Sequence, residues 1–150
     1  LGRYIRLIGA HQSITDLYEA RRILEGWNAR LAAERADEGD FARLETCLQR
    51  MEAHAGSVEK WSDADLDFHL AVARATHNPF LNVLLEPLVG QLHDVIAEGY
   101  LVPGAVERGL EAHRKVYACI KARDKEGAYT AIIEHLTDSE ARMRAVHPKK

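Results

Sequence analysis

The sequence predicts an all-α domain built as an antiparallel bundle of six or seven helices. Three observations predict it. Apolar residues recur at three- and four-residue spacing along nearly the whole 150-residue chain. No segment alternates apolar and polar residues as a half-buried strand does, and no Asn-Gly hairpin turn occurs. The only four prolines are Pro79, Pro87, Pro103 and Pro148, which leaves long stretches free of helix breakers.

Each element has its own marks. Residues 1–10 carry a short apolar run, Tyr4-Ile5-Arg6-Leu7-Ile8, of one or two helical turns. Ser13 can cap a long helix reaching about Ala36, with Ile14, Leu17, Leu24, Trp27 and Leu31 as its core stripe. Gly39-Asp40 breaks the chain, and Asp40 can cap a helix that carries Phe41, Leu44, Leu48 and Met51 and ends near Gly56. A third begins at Ser62, where Ser62-x-x-Asp65 resembles a capping box, and runs to about Thr76 with Leu66, Leu70 and Ala73 inward. Asn78-Pro79 reads as cap and first-turn proline. The helix that follows holds Leu81, Leu85, Leu88, Leu92 and Ile96, kinked at Pro87. After a loop over residues 99–104, two clear helices run from about Ala105 to Arg123 and from Lys125 to Val146. The turn between them is short, so they pack as antiparallel neighbours.

Composition bounds the function. With 47% apolar and 29% charged residues the chain is globular rather than disordered. A net charge of −3 gives no overall basic footprint for nucleic acid, and the Pro148-Lys149-Lys150 end is too small to supply one. No run reaches the roughly 20 apolar residues of a membrane span, and no secretory leader is visible at Leu1. Cys47 and Cys119, far apart and without a CxxC, read as buried free thiols of a cytoplasmic protein.

Eight histidines are the first hint of site chemistry. Asp65 and His69 are four apart, on one helical face. His113 and His135 each lie 11 residues from Asp124, the centre of the last turn. Residues equidistant from the turn of an antiparallel hairpin sit at one height, so these two imidazoles face each other on apolar stripes. Buried imidazoles need polar partners or a metal. Three histidines and a carboxylate suit Zn²⁺, Ni²⁺, Mn²⁺ or Fe²⁺, four ligands closing a tetrahedral site or leaving two positions of an octahedral one open. The alternatives are that Asp65 serves only as the capping partner of Ser62 and that the histidines are hydrogen-bonded core residues. No Glu-x-x-His pairs support a di-iron site, and no Gly-x-Ser-x-Gly elbow supports a serine hydrolase.

Three stretches resemble the C-terminal effector-binding (FCD) domain of GntR-family transcription regulators, FadR branch. They are Leu17-Tyr18-Glu19-Ala20-Arg21-Arg22-Ile23-Leu24-Glu25; Asp65-Leu66-Asp67-Phe68-His69 followed by Asn78-Pro79; and Glu111-Ala112-His113-Arg114 followed by His135. They span residues 14–140, nearly the whole chain. The resemblance implies that Asp65, His69, His113 and His135 hold a divalent metal, most simply zinc. It implies that a small organic acid binds beside the metal, with Arg21 on its carboxylate and Asn78 as a further contact, and that the domain forms a homodimer. Nothing here looks like the family's N-terminal winged helix-turn-helix, so DNA binding is expected only through a domain outside this chain. The rival reading is a metal-dependent hydrolase or lyase acting on a small acid, though no general base stands out near the ligands; a third is a plain structural bundle.

Overall fold

The computed structural model describes the backbone of residues 10–90 and 92–146, and their side chains apart from residues 10–13, 94 and 95. Among the described residues seven helices follow one another: α1 (Ala10–Arg35), α2 (Glu38–Ala53), α3 (Val58–Arg74), α4 (Pro79–Gly90), α5 (His93–Tyr100), α6 (Ala105–Lys121) and α7 (Lys125–Val146). There is no strand among the described residues, and no helix long and apolar enough to cross a membrane. The short apolar run expected at the N-terminal end lies outside the described residues.

α1 is the spine, packing along α7 and also touching α3, α4 and α6. Gly26 allows the close approach to α7: a Cβ there would stand 2.7 Å from the ring of Tyr129. α2 pairs with α3, and α6 pairs with α7 as the expected hairpin. The turn of that hairpin places Arg123 at φ 61°, and Asp124 Oδ1 accepts from the Gly127 N–H at 2.9 Å to start α7. The core collects Leu44, Met51, Trp61, Phe68, Leu85, Ile120, Ile132, Leu136 and Met143, all buried.

Several boundaries differ from those expected. α1 begins at Ala10, so Ser13 lies inside the helix. α2 is capped by Asp37, not Asp40: the Asp37 carboxylate accepts from the Asp40 N–H at 2.9 Å and Asp40 returns the bond to the Asp37 N–H at 3.0 Å. This reciprocal box works with Asp at the third position. α3 starts at Val58, one turn before Ser62, so Asp65 is mid-helix and has no capping duty. The single kinked helix expected around Pro87 is two helices. Pro87 lacks an N–H to continue the ladder, and the chain leaves helix α4 at Gly90, a weak helix former. Cys47 is buried, which pushes its thiol up to about 11; Cys119 is only half-buried, contrary to expectation.

The largest departure concerns α1. The stripe expected inside does not go inside: Ile23 and Trp27 are exposed, and Leu17, Leu24 and Leu31 are half-buried. The face turned to the core instead carries Tyr18, Arg21, Glu25, Asn28, Ala29, Ala32 and Ala33. A helix normally buries its apolar stripe, so something in the interior selects the polar one.

Leu136→Ala should cost about 2–5 kcal/mol because it opens a cavity in a filled core. Asp37→Ala should cost about 1 kcal/mol, the worth of a helix cap. Urea denaturation followed by circular dichroism measures both; a larger loss for the cap than for the core would contradict this packing.

Candidate metal centre

The interior feature is a cluster of ligand-type atoms. Mid-helix α3 presents Asp65 and His69 one turn apart, and the α6–α7 hairpin presents His113 and His135. All four side chains are buried. One atom from each, a carboxylate oxygen and three ring nitrogens, lies within 4.8 Å of all the others. The His113 and His135 rings are 4.3 Å apart between centroids, at the matched height that the hairpin dictates.

The remaining ring atoms are tied down. His69 Nδ1–H donates to Glu25 Oε1, and His113 Nδ1–H donates to the Gly109 carbonyl at 2.5 Å. Both acceptors can only accept, so both rings carry a proton on Nδ1 and keep Nε2 as the atom that a metal would take. His69 Nε2, His113 Nε2, His135 Nδ1 and Asp65 Oδ1 have no hydrogen-bond partner. His113 Nε2 approaches Asp65 Oδ1 to 2.5 Å, and His69 Nε2 approaches it to 3.4 Å, without the angles of a hydrogen bond. Four buried, unsatisfied ligand atoms in one place would cost several kcal/mol if left so. A divalent cation satisfies all four, and the donor set suits a borderline metal such as zinc.

Burial opposes charge on His69, yet the Glu25 and Asp65 carboxylates raise it to about 9, so a metal held here would displace its second proton. Burial opposes the charge on Asp65, yet His113 and then His69 hold its carboxyl well below the usual range. Burial, reinforced by the charges of His113 and His69, pushes His135 well below its ordinary value, so its ring is neutral and available to a metal. Glu25 is buried too, and the Arg21 guanidinium, helped by His69, outweighs that burial and holds it down to about 2.

Sequence reasoning missed the supports of this centre. Glu25 lies 44 residues from His69, and no local spacing announces the bond. Gly109 supplies both a carbonyl and an absent side chain, since a Cβ there would stand 2.8 Å from Trp61 and 2.9 Å from Tyr100. Trp61 packs against Tyr100 at 3.9 Å and sets its ring edge-on to His113 at 6.0 Å. Tyr100 lies near enough to Asp65 that its phenol, raised chiefly by burial, is raised further by that carboxylate. On the same side, Tyr18 and Ser139 share a 2.7 Å hydrogen bond, and the buried Arg142 guanidinium stacks 5.0 Å from the centre of the Tyr100 ring.

The two residues expected at an effector fare differently. Arg21 is buried on the inward face of α1, and its Nε donates to Glu25 at 2.7 Å, one of the guanidinium's five donors. Asn78 is not brought to the cluster. It sits at the α3–α4 turn, where its Oδ1 accepts from the Phe80 N–H at 3.1 Å and caps α4. A second acid–imidazole group, Asp37, Asp40 and His77, is largely exposed; His77 donates to Asp40 at 2.7 Å and clasps the α2 capping box to that turn.

Two substitutions test the supports. Glu25→Gln leaves the buried Arg21 charge uncompensated and should cost about 3–5 kcal/mol. Gly109→Ala should cost about 1–3 kcal/mol by overpacking against Trp61. Guanidinium denaturation decides both; changes below half a kcal/mol would mean these residues do not hold the site.

Comparison with known proteins agrees with this architecture. Residues 16–138 match the FCD domain family. The HTH-type transcriptional regulator LutR of Bacillus subtilis (strain 168) is 30% identical over 139 residues, 89% of this chain and 64% of that protein. The putative L-lactate dehydrogenase operon regulatory protein of Escherichia coli (strain K12) is 35% identical over 81% of this chain and 48% of its own length. The galactonate operon transcriptional repressor of the same organism is 28% identical over 89% of this chain and 58% of that protein. The chain thus spans between about half and just under two thirds of the length of these curated relatives. Among solved structures, Escherichia coli McbR/YncC superposes with a TM-score of 0.80 at 22% identity, covering 91% of this chain and 70% of that one. Streptococcus agalactiae GntR superposes at 0.70 with 27% identity, covering 85% and 58%. These relatives are transcriptional regulators, and the hydrolase or lyase alternative finds no support among them. The chain belongs to the FCD-domain family and is an effector-binding domain of the kind carried by GntR-family transcriptional regulators.

Proposed function

We propose that this domain senses a small organic acid through a divalent metal held by Asp65, His69, His113 and His135. One observation carries the reading: four buried ligand atoms lack hydrogen-bond partners, while the outer nitrogens of His69 and His113 are anchored to Glu25 and Gly109. Bound there, the metal would offer a fixed positive charge to an oxygen donor. Arg21, at the neighbouring stretch of α1, is the chain's own partner for a carboxylate. Its planar fork suits that group, and the bond to Glu25 holds the fork in place. Asn78 stays with its helix cap and has no part in this reading.

The acid class follows from the same chemistry. A carboxylate with an adjacent hydroxyl presents two oxygens to one cation. Two relatives are named for an L-lactate dehydrogenase operon and a galactonate operon, and lactate and galactonate are both hydroxy acids. Binding would favour one packing of α1 against α3 and the α6–α7 hairpin, and in a longer cytoplasmic regulator that preference would reach an attached DNA-binding domain. The ligand shifts the balance only by its differential affinity for the two packings.

The experiment is metal analysis of the purified, tag-free chain by mass spectrometry, followed by thermal melts with L-lactate, galactonate and acetate. About one divalent ion per chain, lost in His113→Ala and weakened about 10–100-fold in Glu25→Gln, is expected. Metal-dependent stabilisation by a hydroxy acid, reduced at least tenfold in Arg21→Lys, is expected next. A chain that neither retains metal nor is stabilised by added Zn²⁺ or Ni²⁺ overturns the reading.

A further inference from the structure

α7 carries three buried polar side chains on one stripe: His135, Ser139 and Arg142, at intervals of four and three residues. The first belongs to the metal centre, and the other two lead away from it. Ser139 meets Tyr18 of α1 in the 2.7 Å hydrogen bond. Arg142 lies over Tyr100 at the end of α5, 5.0 Å from the ring centre, as Arg21 lies 5.1 Å over the Tyr18 ring. Burial raises both phenols, and both also feel the charges of Arg21, Asp65 and Arg142, so these groups share one neighbourhood. Buried Trp61, packed on Tyr100, keeps an indole N–H with no partner. A helical side chain leans toward the N-terminus of its helix, and Arg142 does so, since its Nη1 donates to Asp138 one turn back. That brings its guanidinium to less than about 10 Å from the level of His135 along α7.

We infer that Arg142 reads a second acidic group on the effector, so that the ligand this domain prefers is a short hydroxy diacid. Charge carries the inference. Arg21, 1% exposed, is balanced by Glu25, 2% exposed and beside it. Arg142 is 7% exposed, but the carboxylate it pairs with, Asp138, is 51% exposed and stands in water. Asp138 engages a single nitrogen of a guanidinium that has five N–H donors. With a divalent metal on Asp65 and three neutral imidazoles, the interior would hold two positive charges without a buried counter-charge, one at the metal and one at Arg142. An uncompensated buried charge is costly. A monoacid cancels only the first. A hydroxy diacid cancels both: its hydroxyl and near carboxylate go to the metal and Arg21, and its far carboxylate goes to the planar fork of Arg142. Tyr18 and Tyr100 keep their phenols protonated, so they add hydrogen-bond donors along the row and no negative charge. This inference rests on the metal-anchored reading and narrows the class of its acid.

The test is isothermal titration calorimetry on the zinc-loaded chain with three acids. L-malate and L-lactate share a hydroxy-carboxylate head and differ in the second carboxylate; galactonate is a longer monoacid. L-malate is expected to bind at least about tenfold tighter than either monoacid, and Arg142→Met to weaken L-malate by about the same factor while leaving L-lactate within about twofold. Methionine keeps an unbranched stem over Tyr100 and strands no buried charge, because Asp138 is in water. Arg142→Lys keeps the charge and loses only the fork, so it provides a folded variant in its own right; it should weaken L-malate severalfold, again with L-lactate unchanged. Far-ultraviolet circular dichroism checks the fold of both. L-lactate or galactonate binding as tightly as L-malate, an Arg142→Met chain that keeps its L-malate affinity, or a variant that weakens all three acids equally overturns the inference and leaves the metal-anchored reading standing. Failure of all three acids to bind the zinc-loaded wild type overturns both.

Discussion

One buried carboxylate organises this molecule. Glu25 takes the Arg21 Nε–H on one oxygen and the His69 Nδ1–H on the other. A carboxylate so deep in a bundle is tolerated only because both its oxygens are met by donors and a guanidinium charge lies beside it. To deliver it, α1 must turn its polar stripe toward α3. A helix has one inward face, so the apolar stripe of Ile23, Leu24, Trp27 and Leu31 is left on the outside. The demand of the interior site and the greasy exterior of α1 are two sides of one rotation. Rotating α1 by half a turn would bury the leucines and strand Arg21 and Glu25 in water, leaving His69 without its orienting partner.

The opposite wall is set by a second economy of atoms. Gly109 lacks a side chain because Trp61 and Tyr100 occupy that space, and its carbonyl fixes the tautomer of His113 one turn further along α6. His135 then meets His113 because a short turn joins α6 to α7. Three different devices therefore aim three rings: a long-range carboxylate, a backbone carbonyl within the same helix, and hairpin geometry. Each acts on one histidine, so none of them alone defines the centre.

How much of this was legible in the sequence depended on the range of the interaction. The helical class, the hairpin and the heights of His113 and His135 follow from local spacing and the short turn at Asp124, and these appear in the structure as read. Asp65 and His69 share a face by the same rule. Caps were less legible, because Asp37 and Asp40 are both good capping residues three apart, and the sequence alone does not say which is outside the helix. Ser62 looked like a cap because nothing local reveals that α3 begins a turn earlier. The supports from Glu25 and Gly109 depend on contacts set by tertiary packing and could not be read from spacing. The stripe of α1 misled for a physical reason: periodicity identifies an apolar face but not what covers it, and an apolar face is as consistent with an interface as with a core.

The chain contains only two tryptophans, and the fold has separated them by role. Trp61 is fully enclosed, edge-on to the ring of His113, whereas Trp27 is half in water on the opposite side of α1 from the metal ligands. The domain thus carries its own pair of fluorescent reporters, one blue-shifted and sensitive to what happens at the imidazoles, the other red-shifted and sensitive to what covers the outer face. Excitation of the unlabelled protein would record ligation and surface coverage as changes in two different parts of one emission band.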